Sequence, residues 1–206
     1  MFPSGIPLSK RVLDLIIAIL GMMFISPLFL IITTLVYWKL GSPIFFRQKR
    51  PGFRGEPFII YKFRTMNEDK DIEGNLLPDN DRLTGLGRFL RATSLDELPE
   101  FFLVLTGAMS LVGPRPLLMS YLDRYSKEQA RRHDVLPGIT GWAQINGRNV
   151  LTWQDKFALD VWYVDHWSLW LDVKILGITL WKVLKREGIS QPGHATAEEF
   201  LGNKPQ

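Results

Sequence analysis

Between Val12 and Trp38 the chain reads VLDLIIAILGMMFISPLFLIITTLVYW, with Asp14 as its only charged residue. As a helix rising about 1.5 Å per residue this stretch measures roughly 40 Å, against about 30 Å for a bilayer's hydrocarbon core. The segment is expected to be membrane-embedded. The run is too long for a cleavable signal peptide, and no small-residue cleavage site follows it.

Ser26-Pro27 lies near its middle. A proline there frees the carbonyl of Met23 from its helical bond, and the neighbouring serine can bond back to the preceding turn and favour a bend. Each arm, Val12 to Ile25 and Leu28 to Trp38, would reach only about 16–21 Å, too short to span alone. A hairpin re-entering one leaflet therefore competes with a kinked span. Lys10 and Arg11 precede the segment and Lys39, Arg47, Lys49, Arg50 and Arg54 follow it. The larger cluster is expected in the cytoplasm in either geometry, and a re-entrant helix also keeps Lys10 and Arg11 inside.

Residues 1–40 thus read as a membrane helix and 41–206 as a cytosolic, membrane-associated domain, large enough to bury a core. The expected fold class is α+β, mostly helical, with a short β-hairpin and amphipathic interfacial helices. Absence of cysteine removes disulfides, thiolate nucleophiles and Cys-ligated metal sites. His133, His166 and His194 lie far apart without metal-ligand spacing. The formal charge of +4 favours anionic partners. Basic residues beside a membrane segment, without a nucleic-acid motif, turn that preference away from nucleic acid.

Leu95-Asp96-Glu97-Leu98 places two adjacent carboxylates before Pro99. Proline is favoured at a helix start, so a helix from Pro99 to about Thr106 would hold both acids near its positive end. A carboxylate beside a bound phosphate can attack phosphorus. Ser94 and Glu97 also spell a capping box, the plainer reading, but that register would put Pro99 inside the helix, where its ring crowds the Leu95 carbonyl.

Cations surround this pair in sequence. Ile44–Gln48 and Phe58–Thr65 read as two strands joined by a turn-rich stretch. Phe58, Ile60, Lys62 and Arg64 would share one face, so Lys62 and Arg64 are candidate phosphate ligands, or else a solvated edge. Thr84-Gly85-Leu86-Gly87 is a weak phosphate-loop match. Arg91 precedes the carboxylates closely, and Gly113-Pro114-Arg115-Pro116 fixes Arg115 between two prolines; guanidinium forks match phosphate oxygens.

Residues 67–81 read as an exposed loop, and 121–134 have helical composition. The glycine-rich, aromatic stretch 136–149 is a candidate binding loop, in which Gln144 and Arg148 are candidate nucleotide ligands. Residues 172–185 read as a helix with Lys174, Lys182 and Lys185 on one stripe, following a tryptophan-rich segment. That describes a surface-lying membrane helix or a core helix with a narrow solvent face. From Gly188 onward the tail is expected to be extended.

Lys62-Phe63-Arg64-Thr65-Met66, Arg91 through Pro99, Gly113-Pro114-Arg115-Pro116, and Pro137-Gly138-Ile139-Thr140-Gly141 with Asn146-Gly147-Arg148, taken in order, resemble the bacterial monotopic phosphoglycosyl transferases. The resemblance covers nearly the whole chain. It implies transfer of a sugar 1-phosphate from a UDP-sugar to undecaprenyl phosphate at the cytoplasmic face of the bacterial inner membrane. UMP would leave, and an aspartyl phosphosugar intermediate would form in a ping-pong cycle. It further implies Asp96 as nucleophile, Glu97 as its dyad partner, Mg²⁺ held by Glu97 and Asp96, and a re-entrant helix broken at Ser26-Pro27. The short form and the ending Gly188-Ile189-Ser190 through Phe200 resemble the branch that transfers diacetylbacillosamine phosphate, which implies an N-acetylated amino sugar. Two alternatives stand beside this: an aspartyl-phosphate hydrolase, and a membrane-anchored module that binds nucleotide or acidic lipid without turnover.

Overall fold

A computed structural model describes residues 5–147, 151–185 and 199–202. In chain order the elements are helix α1 (Leu8–Leu40), strands β1 (Phe45–Pro51) and β2 (Pro57–Phe63), helices α2 (Asp79–Arg82), α3 (Gly85–Ala92) and α4 (Glu100–Thr106), strand β3 (Ser110–Val112), helix α5 (Lys127–Ala130), strand β4 (Gly138–Thr140), and helices α6 (Trp142–Ile145), α7 (Trp153–Asp165) and α8 (Leu169–Lys185). The expected α+β, mostly helical class holds.

Helix α1 is long and apolar enough to cross a membrane. It continues through Pro27, and Ser26 Oγ donates to the Met23 carbonyl at 3.0 Å. The serine thereby satisfies the acceptor that proline deprives of its helical partner. One stripe of α1, including Arg11, Asp14, Ala18, Ile32 and Val36, is buried against the rest of the protein. Ala18 joins a core with Ile60, Val104, Leu111 and Ile175, whereas Ile32 and Val36 join a second core with Phe63, Leu90 and Leu98. Both arms of the helix therefore pack on the same body, at about 1.5–3 kcal/mol per buried aliphatic side chain. The opposite face exposes Ile16, Met23, Phe24, Leu30, Ile31 and Trp38.

Lys10 and Arg11, read above as charges flanking a membrane segment, are instead buried in protein. Lys10 Nζ donates to Asp172 Oδ2 at 2.6 Å, the Val112 carbonyl at 2.9 Å and Tyr163 Oη at 3.1 Å. Tyr163 and Trp167 donate to the two oxygens of the same aspartate, and Asp14 accepts from Ser110 Oγ and Leu111 N–H. The ionic groups at the foot of α1 hold it to β3, α7 and α8.

The hairpin differs in extent from the sequence reading. Arg50 and Pro51 still belong to β1, paired with Phe58 and Pro57, and β2 ends at Phe63. Pro51 closes the strand at the hairpin mouth, where its missing N–H takes nothing from the ladder. A second sheet, unpredicted, pairs β3 and β4 in parallel, Ser110 opposite Gly138 and Val112 opposite Thr140. A Cβ on Gly138 would lie 2.0 Å from the Gly113 nitrogen, so both chains can approach only because that position is glycine.

Residues 119–133 form no single helix: two 3₁₀ segments flank the short α5. The tail is anchored where it is described: Phe200 is buried among Tyr121, Tyr125, Trp153 and Phe157.

Candidate active site

Asp96 and Glu97 sit in a 3₁₀ turn, Leu95–Glu97, immediately before α4. Pro99 caps that helix, in keeping with a helix that begins at the proline. Because Pro99 has no N–H to offer the Leu95 carbonyl, Leu98 N–H takes it instead, and that i+3 bond tightens the turn. Ser94 makes no capping bond and adopts a left-handed conformation with φ 56°, so the capping-box reading fails. Its backbone turns the chain sharply out of α3 and aims both carboxylates inward.

Three more side chains close on this turn. Lys62, near the end of β2, places Nζ 2.5 Å from Glu97 Oε1 and 3.4 Å from Glu100 Oε1. Arg115, from the turn after β3, takes the Glu97 carboxylate with its two terminal guanidinium nitrogens, Nη1 and Nη2. Arg132 fixes that turn from behind: its Nη2 donates to the Arg115 carbonyl at 2.7 Å while the same guanidinium pairs with buried Asp160. Arg91 donates through Nε to Thr65 Oγ1 at 3.1 Å, and its charge acts on Asp96. Gly87 seats α3 on this strand end, since a Cβ there would fall 1.9 Å from the Thr65 carbonyl. The Thr84–Gly87 stretch is thus a helix cap, Thr84 accepting from Gly87 N–H, rather than a phosphate loop.

The adjacent acids differ in charge state. Burial, then the negative Glu97, pushes Asp96 up to about 6, against the pull of Lys62, Arg115 and Arg91. Burial also acts to raise Glu97, but Arg115 and Lys62 outweigh it and hold that carboxyl well below the usual range. Asp96 is 8% exposed, and among the described residues no donor hydrogen-bonds its carboxylate. One acid is clamped as a permanent anion while its neighbour is left with free lone pairs, the division expected of a support and a nucleophile.

Glu100 escaped the sequence reading. It is 2% exposed, shares Lys62 with Glu97, and is pushed up to about 7 by burial and then by Glu97. Its position three and four residues beyond the dyad, on one helical face, was the available signal.

Of the other candidates, Arg64 falls just past β2; its backbone N–H bonds the Ile44 carbonyl and its Nε is buried without a hydrogen-bond partner. No contact joins it to the carboxylates among the described residues. Gln144, in α6, is buried with both amide atoms unpartnered among the described residues. A Cβ on Gly141 would meet both its Oε1 and the Gly113 carbonyl, which places it behind the Gly113–Arg115 turn. Arg148 lies outside the described residues, as does most of the tail from Gly188. Among the described residues no group of three acidic or histidine side chains stands ready to hold a metal. His133 is structural: its Nδ1 bonds the Gly52 carbonyl at 3.2 Å, and burial, then Arg132, pushes it down to about 4.

The family model for bacterial sugar transferases matches residues 6–186. The chain is 58% identical to an uncharacterized sugar transferase, EpsL, of Bacillus subtilis (strain 168), over 94% of this chain and 96% of that protein. It is 44% identical to a UDP-glucose:undecaprenyl-phosphate glucose-1-phosphate transferase of Klebsiella pneumoniae, over 84% of this chain and 39% of that protein. Likewise it is 38% identical to an undecaprenyl-phosphate galactose phosphotransferase of Salmonella typhimurium, over 87% of this chain and 41% of that protein. The chain therefore spans nearly all of the first relative and about two fifths of the other two.

Proposed function

The chain belongs to the bacterial sugar transferase family, and from that premise we propose that it moves a sugar 1-phosphate from a UDP-sugar to undecaprenyl phosphate and releases UMP. The observation that carries this reading is the asymmetric dyad: a buried Asp96 with no hydrogen-bond donor among the described residues, beside a Glu97 held by Lys62 and Arg115.

In the first half-reaction an Asp96 oxygen attacks the donor's β-phosphorus. The bond from that phosphorus to the oxygen bridging the α-phosphate breaks, and UMP departs with the electron pair. In the second half, a phosphate oxygen of the acceptor attacks the same phosphorus and returns Asp96 as carboxylate. Phosphoryl transfer depends on positioning and charge neutralisation, which the Lys62, Arg91 and Arg115 cations supply. Splitting the reaction lets a soluble nucleotide and a long isoprenoid use one site in turn.

Mg²⁺ enters this proposal through the chemistry of the donor set. Asp96, without a hydrogen bond among the described residues, and Glu97 Oε2, met by the long 3.4 Å bond from Arg115, offer the one or two carboxylate oxygens that Mg²⁺ takes when substrate phosphates complete its shell. Bound there, the ion would screen the donor's charge from the nucleophile. Loss of UMP release in EDTA, restored by Mg²⁺, tests that assignment.

Packing of both arms of α1 on one body supports the re-entrant reading, with residues 41–206 on the cytoplasmic side of the inner membrane. On α8, Trp170 and Trp181 are exposed beside Val173 and Leu180, which supports an interfacial helix there. Lys182, however, turns inward to the Ile145 carbonyl and leaves the basic stripe. Gln144 and Arg148 are proposed for the nucleotide.

The test is UMP release by Asp96→Asn across a donor panel with undecaprenyl phosphate. UDP-glucose, printed in one relative's name, and the UDP derivative of galactose, the sugar in another's, lead the panel; the N-acetylated amino sugar suggested by the tail finds no counterpart in those names and is the contrast arm. Abolished release in the variant supports the proposal, and wild-type release from it refutes it. UMP formation without acceptor, continuing over many turnovers, would mark a hydrolase; nucleotide binding without turnover would mark a binding module.

A further inference from the structure

Arg50 stands apart from the assigned residues, yet the hairpin turns it toward them. Residues directly opposed across an antiparallel pair share a face, and the register sets Arg50 opposite Phe58, Gln48 opposite Ile60 and Phe46 opposite Lys62. Arg50 is thus on the Lys62 face, four residues along. Gln48, on that face as well, accepts from Arg50 Nη2 at 2.6 Å and steers the guanidinium. Among the described residues no carboxylate lies within ion-pair distance of Arg50, and its Nε is buried without a hydrogen-bond partner. Its electrostatic neighbours are Arg115, which repels it, then Tyr121, Glu100 and Tyr125.

The balance of charge around this face is unfinished. Lys62 and Arg115 both hold Glu97, whereas Arg50 brings a third cation that no carboxylate among the described residues meets. Pro51 and Gly52, next after Arg50, line one crevice with Arg115, and two guanidiniums on that side with a carboxylate held by only one of them favour an added anion.

We propose that Arg50 supplies the second guanidinium of a phosphate seat that Arg115 begins, and that a phosphate oxyanion of a substrate docks between them. The seat's role in turnover rests on the transferase reading, whereas anion binding there does not. Arg50 is placed to bind and orient phosphate rather than to react.

The experiment compares wild type, Arg50→Gln, Arg50→Lys and Lys49→Gln in the full chain. Lys49 is exposed and lies on the opposite hairpin face, so its variant removes equal charge without touching the seat. Inorganic pyrophosphate and UDP, titrated by thermal shift, should need at least about tenfold higher concentration to protect Arg50→Gln, with Arg50→Lys between and Lys49→Gln like wild type. In UMP-release assays, a tenfold rise in KM for the UDP-sugar places the donor diphosphate in the seat; the same rise for undecaprenyl phosphate places the acceptor there. If pyrophosphate and UDP protection and both KM values stay within about twofold of wild type in Arg50→Lys and Arg50→Gln, or Lys49→Gln matches Arg50→Gln, the proposal is overturned. Were turnover absent throughout, the pyrophosphate titration alone decides. Should Arg50→Gln not fold, Arg50→Lys carries the same criteria.

Discussion

Asp172 and Asp96 are both buried aspartates beside a lysine, but only one is finished. Asp172, 1% exposed at the foot of α1, accepts from Lys10, Tyr163 and Trp167 at 2.6–3.0 Å. Asp96, 8% exposed, has positive charges near it and no hydrogen bond among the described residues. A satisfied buried carboxylate locks elements together; an unsatisfied one carries a desolvation cost that only a reaction or a ligand can recover. The comparison separates the residue that holds the membrane helix from the residue that does the chemistry.

The largest effects are expected from substituting Asp96 itself and Lys10, the lysine that holds Asp172. Asp96→Asn should lower UMP release by at least about 10³-fold while leaving thermal stability equal or higher, because a buried charge is removed. Lys10→Ala should do the reverse in kind: leaving Asp172 uncompensated costs roughly 3–5 kcal/mol of stability, read by chemical denaturation in detergent. If Asp96→Asn destabilised the chain as much as Lys10→Ala, the contrast would vanish.

Glu97→Gln sharpens it further. Removing that charge frees Lys62 and Arg115 and should cost about 10²–10³-fold in rate. The pH dependence should move too. Asp96 must be ionised to attack, so wild-type UMP release rises with pH through an apparent value near 6, set by the dyad jointly. Glu97 raises that value, so the remaining activity of Glu97→Gln should have its midpoint at lower pH. Arg91 lowers it, so Arg91→Gln should move the midpoint upward by less than about one unit, the smallest effect of the set. A profile that moves in neither variant would detach Asp96 from the titration.

Local features of the site were legible in the chain. Pro99 fixed where α4 begins, the two acids stood before it, and two prolines flanked Arg115. Ser26-Pro27 announced the carbonyl that the serine bonds. Missing were the partnerships of long separation. Nothing near Lys10 marks Asp172, 162 residues away, as its partner, and a solvent-flanking lysine reads the same as a buried one. The parallel pair β3–β4 is only three residues per strand, below what alternation can reveal. Arg50 hid in a turn-rich stretch because its proline neighbour suggested the strand had ended. Phe200 looked like tail because its aromatic partners come from Tyr121 to Phe157, far back in the sequence.

A phosphorus–oxygen bond between the sugar phosphate and one carboxylate should be visible by peptide mass spectrometry of the full chain, quenched after loading with UDP-sugar alone. One added sugar phosphate should map to Asp96, be lost on adding undecaprenyl phosphate and be absent in Asp96→Asn. Steady turnover with the adduct on another residue, or with no adduct under quenching fast enough to trap it, would contradict the account.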